Sequence, residues 1–143
     1  MRMNFKAAAM TAGLAMTAAM TAAPVLADET WNTEDGLIVW DDNFGETAVL
    51  MMATDAGVTV RVYVPGLARD VAGGRGTYEG YWIATDGSER CEAQLTGPDG
   101  AKSNYWGTFT ISFVRDAFPS DWAGTSGACF YPHEATISGQ VPE

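Results

Sequence analysis

Apolar and polar residues alternate along this chain with a period of two, in short runs separated by turn-forming clusters. The alternation is plainest where Val58, Val60, Val62 and Val64 interleave with Thr59, Arg61 and Tyr63, the pattern of a strand with one buried face. The run just before it, Ala48 to Ala53, is apolar on both faces, and Thr54-Asp55-Ala56-Gly57 separates the two by the length of a turn. Residues 46 to 64 therefore read as a β-hairpin. An earlier run, Leu37-Ile38-Val39-Trp40, is bounded by Asp35-Gly36 and by Asp41-Asp42-Asn43, both of which read as turns.

A second hairpin is expected from Thr77 to Thr85 and Arg90 to Thr96, joined at Asp86-Gly87-Ser88, with Cys91, Ala93 and Leu95 pointing inward. After the turn Gly97-Pro98-Asp99-Gly100 comes the longest alternation. Tyr105, Gly107, Phe109, Ile111 and Phe113 form one face, and Trp106, Thr108, Thr110 and Ser112 the other. Phe130 to Ile137 is the expected closing strand. Pro65 to Gly76 and Phe118 to Gly127 carry Pro, Gly and small residues and read as connections, the first mobile or a short helix. No segment carries a helical period, so crossover helices and a parallel α/β sheet are excluded. The expectation is an all-β fold: a small antiparallel β-barrel or β-sandwich of about seven or eight strands.

The N-terminus follows a different rule. Arg2 and Lys6 precede a small, apolar stretch from Ala7 to Val25 without an acidic residue, and Val25-Leu26-Ala27 offers the small residues of a signal-peptidase site. Residues 1–27 are expected to be a cleaved secretory signal peptide and 28–143 a single β domain, without a stable membrane anchor after cleavage. The protein is then periplasmic or extracellular. Loss of Arg2 and Lys6 takes the formal net charge from −10 to −12, which disfavours nucleic acid and favours encounter with cationic partners. The only two cysteines, Cys91 and Cys129, lie in the mature part and fit a structural disulfide in an oxidising compartment. Closing a loop of that length contributes about 4 kcal/mol through chain entropy.

Few residues suit catalysis. His133 is the only histidine and reads as a surface residue, since neither a nucleophile nor an orienting partner accompanies it in sequence. Gly124-Thr125-Ser126-Gly127-Ala128 resembles a nucleophile elbow but ends in alanine and lacks the strand-to-helix setting, so it reads as loop. Zinc would need more His and Cys ligands. Asp41, Asp42, Asn43 and Glu46 are an oxygen-rich group without the spacing or central glycine of an EF-hand, and turn formation accounts for them. No cofactor is expected and no enzyme activity.

The surplus lies in aromatic residues: five Trp, five Tyr and six Phe, with every tryptophan after residue 27. Tyr81 and Trp82 fall on opposite faces of one strand, Trp106 falls on the polar face of another, and Trp122 sits in a loop, so these four are the expected contact residues. The leading reading is an exported, non-enzymatic binding protein that takes a small apolar or glycan ligand on an aromatic-lined sheet face or in a barrel mouth. The alternative is an acidic protein-binding module that inhibits or adapts a cationic secreted or envelope enzyme, with Phe118 to Trp122 as the contact loop.

Overall fold

A computed structural model describes residues 29–69, 76–115, 119–131 and 134–143. The proposed signal segment, the Gly73-Gly74-Arg75 run, Phe118 and His133 lie outside the described residues. Among the described residues there is no helix.

Eight antiparallel strands form one sheet in the order β1-β2-β3-β4-β5-β8-β9-β10. They are β1 (Thr30–Thr33), β2 (Gly36–Phe44), β3 (Thr47–Ala53), β4 (Thr59–Val64), β5 (Gly76–Ala84), β8 (Tyr105–Phe113), β9 (Trp122–Ala128) and β10 (Ala135–Gly139). Two short strands, β6 (Leu95–Thr96) and β7 (Lys102–Ser103), pair with each other outside the sheet. The first and last strands approach one another. Asn32 N–H donates to the Gln140 carbonyl at 2.8 Å and Gln140 N–H donates back at 2.9 Å, so the sheet curls into a nearly closed barrel. Curling removes most of the exposed edge that an open sheet of this size would carry.

The hairpin expected at residues 46 to 64 is present as β3 and β4, with Leu50 opposite Val62 and Met52 opposite Val60. The alternation over 105 to 113 forms β8, with Phe109, Ile111 and Phe113 buried inside the barrel. Interior positions on the other strands are supplied by Trp31, Ile38, Trp40, Leu50, Val62, Val64 and Trp122, all buried in one core.

Four local expectations are corrected. The Thr77–Thr85 arm does not pair with Arg90–Thr96: β5 pairs along its whole length with β8, Trp82 opposite Gly107. The intervening chain leaves the sheet and folds over its outer surface, and of Cys91, Ala93 and Leu95 only Cys91 is fully buried. Asp41-Asp42-Asn43 is not a turn but the continuation of β2, which passes a bulge between Trp40 and Asp42. Trp122 to Gly127 is not a loop but most of β9, whose small residues let strands approach: a Cβ on Gly124 would collide with the Thr110 carbonyl of β8. The closing strand begins at Ala135, and Phe130 belongs to the turn before it.

The excursion between β5 and β8 covers a second core on the outside of the barrel, made of Val49, Tyr63, Ile83, Cys91 and Trp106. The disulfide Cys91–Cys129 forms, with an S–S distance of 2.02 Å, and ties this flap to the turn after β9. It is compatible with an oxidising location, periplasmic or extracellular.

Candidate functional site

Because strands alternate in direction, the barrel has two ends of different composition. At one end the connections after β1, β3, β5 and β9 meet, and at the other the connections after β2, β4 and β8 and the segment after β10. The second end is packed shut by rings. Trp31 lies 6.4 Å from Trp122 and 6.5 Å from Phe113 between centroids, and Tyr78 meets Phe113 edge-on at 6.2 Å. The Trp31 indole N–H donates to the Ser120 carbonyl at 2.9 Å, tying this plug to the residue two before β9.

The first end is open. A cavity of about 300 Å³ enters the barrel there, between interior side chains of β2, β3, β4, β5, β8, β9 and β10. Its floor is Phe109 and Val62, its walls are Ile38, Met52, Val60, Trp82, Ala84 and Ile137, and its rim carries Asp35, Asp86, Ser88 and Glu89. The volume is at the small end of the range of about 300–1,000 Å³ for ligand sites. Period-two alternation builds this lining, since Val60 and Val62 share a face of β4, and Trp82 and Ala84 share a face of β5. Ordered polar groups are few inside it: Ser126 is the one interior hydroxyl of the lining.

Trp82 is fixed as a wall by two neighbours. Its indole N–H donates to the Gly127 carbonyl at 3.2 Å, and its ring lies over Gly107, where a Cβ would stand 2.7 Å from ring carbons. Glycine at 107 therefore makes room for the tryptophan inside the barrel.

The four rings expected as contact residues do not converge. Trp82 alone lines the cavity. Trp122 is 1 % exposed and forms part of the opposite plug, 5.9 Å from Phe109, so the expectation of an exposed loop ring is corrected. Gly139 on β10 leaves space for its indole. Trp106 is 6 % exposed: the flap covers what periodicity marks as a polar face, and its indole N–H donates to the Ala93 carbonyl at 2.8 Å. Tyr81 stacks on Tyr63 at 5.0 Å, again outside the barrel.

Beneath the flap, the Tyr63 hydroxyl donates to Asp99 Oδ1 at 2.8 Å, and Arg61 pairs with the same carboxylate at 3.5 Å. Burial pushes the Tyr63 phenol well above its ordinary value, with the bond to Asp99 adding to the shift. Burial also raises Tyr81. These groups anchor the flap.

The oxygen-rich group at 41 to 46 is dispersed. Asp41 faces Arg61 at 4.0 Å, Asp42 accepts the Asn43 N–H, Asn43 accepts the Trp40 indole N–H at 2.7 Å, and Glu46 pairs with Arg69 at 3.3 Å. Among the described residues no three His, Cys, Asp or Glu side chains gather as a metal site. Residues of the cavity that sequence reasoning missed, such as Ile38, Met52 and Ile137, carried only the signal of an inward apolar position.

Comparison with models of protein families, with curated proteins and with solved structures finds no match for this chain.

Proposed function

We propose that this protein is an exported, non-enzymatic carrier or sensor of a small apolar molecule, held in the open mouth of the barrel. The cavity carries this reading: one end of the barrel is filled by interlocked rings while the other keeps about 300 Å³ between apolar side chains. An apolar body suits this lining better than a glycan, whose hydroxyls would find Ser126 as the one interior hydroxyl of the walls. Titration with octanol, followed by calorimetry, tests it. Saturable binding that Ala84→Phe abolishes by filling the mouth, with the fold retained, is the expected result. Absence of binding, or binding indifferent to Ala84→Phe, would refute the proposal.

A second reading, an acidic module that docks on a cationic protein, draws support from a different surface. Phe130 is 80 % exposed and Tyr131 62 % exposed, at the turn held by the disulfide. Phe130 meets Trp106 edge-on at 4.9 Å, and Glu89 and Glu92 lie beside it around an open depression. Exposed rings beside two carboxylates, with Arg90 between them in sequence, suit a basic protein surface. Under this reading Phe130→Ala abolishes capture of a basic envelope protein, and high salt weakens it; capture unchanged by either counts against it.

A further inference from the structure

We infer that the ligand of the barrel mouth carries a cationic head: an apolar body that enters the cavity and an ammonium-type group left at the rim. The inference rests on the mouth-binding reading and adds the charge of the occupant. Three exposed carboxylates border the opening, Asp35 from the β1–β2 turn and Asp86 and Glu89 from the chain leaving β5. None of the three is in an ion pair with another described residue. Neither lysine nor arginine lines the cavity. The turns of the same end also carry Glu34, Asp55 and Glu134, against Arg90 and Lys102 on the excursion between β5 and β8.

None of the described cations lines the cavity. Arg69 pairs with Glu46 at the closed end, where Arg115 also lies, Arg61 pairs with Asp99 under the flap, and Lys102 is on β7. Arg90 follows Glu89, but its guanidinium donates to Asn104 Oδ1 at 3.3 Å and lines the depression beside the disulfide, which shares Glu89 with the mouth. A fatty carboxylate seated in the mouth would set its negative head among like charges, whereas an ammonium head would be attracted by all three rim groups. A neutral head would gain no Coulomb attraction from them. Charge therefore selects among ligands that the apolar cavity alone would treat alike.

Three probes of equal chain length separate the possibilities: octylamine, octanol and octanoate, titrated at neutral pH and low salt into the oxidised protein and into Asp35→Asn/Asp86→Asn/Glu89→Gln. All three positions are exposed, so the triple variant is expected to fold. For the unaltered protein octylamine should bind about tenfold tighter than octanol, and octanoate more weakly than either, with each exposed carboxylate worth a few-fold. In the triple variant the three affinities should converge towards that of octanol, which itself stays unchanged. Equal affinities for octanol and octylamine in the unaltered protein, or a preference that survives in the triple variant, would overturn the cationic head while leaving the apolar mouth in place. Failure of all three probes to bind would overturn the mouth reading itself, and this inference with it.

Discussion

Trp82 on β5 and Gly107 on β8 are register partners, and the indole of the first occupies the space that a side chain on the second would need. The pair shapes the cavity: with glycine at 107 the ring packs close against β8 at the wall of the mouth. Gly107→Ala should displace the ring and also strike the Gly127 carbonyl of β9. A loss of about 1–3 kcal/mol, as for other overpacked positions, is expected in urea unfolding, together with weaker octanol binding. Unchanged stability would mean that the strands can part here without cost.

Burial makes Trp106 and Trp122 structural. Trp106→Ala and Trp122→Ala should each lower stability by about 3–5 kcal/mol. Trp82→Ala, at the wall of an existing cavity, should cost less and change ligand affinity most. Thermal unfolding and octanol titration of the three variants check this ranking.

The two plug tryptophans differ in their polar atoms. Trp31 donates its indole N–H to Ser120, while the Trp122 indole N–H is buried with no acceptor among the described residues. Replacement by phenylalanine removes a satisfied donor in one case and an unsatisfied one in the other. Trp31→Phe should therefore be the more damaging, by about 1 kcal/mol beyond the loss of ring volume common to both. A larger loss in Trp122→Phe would contradict the assignment of hydrogen bonds in the plug.

Alkaline pH should loosen the flap. The folded protein holds Tyr63, and to a lesser degree Tyr81, protonated beyond the ordinary phenol value of 10.0. Below that value both states keep the proton and the contribution is complete. Above it the unfolded chain ionises first, so stability falls as pH rises, by up to about 1.4 kcal/mol per pH unit for each such group. Urea midpoints measured at rising pH should show this decline, and Tyr63→Phe should make it shallower.

The flap also depends on its covalent tie. Cys91 and Cys129 are 38 residues apart, and removing the bridge in Cys91→Ala/Cys129→Ala should cost about 4 kcal/mol by the loop-entropy relation. Denaturant unfolding of this variant beside the oxidised protein measures the cost.

Much of the architecture follows from local alternation. Val60 and Val62 against Arg61, and Phe109 and Ile111 against Thr110, each specify a strand with an apolar face. Two cysteines in a chain with an export-like start specify their own pairing. Period two, however, assigns residues only to one side or the other of a strand. Which side is inside, and which strand comes next, depends on contacts between residues far apart in sequence. Local pattern joined Thr77–Thr85 to its nearest neighbour, whereas the sheet joined it to β8 and sent the chain between them over the outer face. That excursion buried Trp106, Tyr63 and Ile83, which alternation would leave in water. Trp122 to Ala128, rich in small residues, carried no apolar stripe, yet curvature and close approach of strands require small side chains there. The sequence alone determined an all-β chain with an aromatic surplus and one disulfide; closure of the barrel decided that Trp31 and Trp122 seal one end and that Trp82 borders the opening at the other.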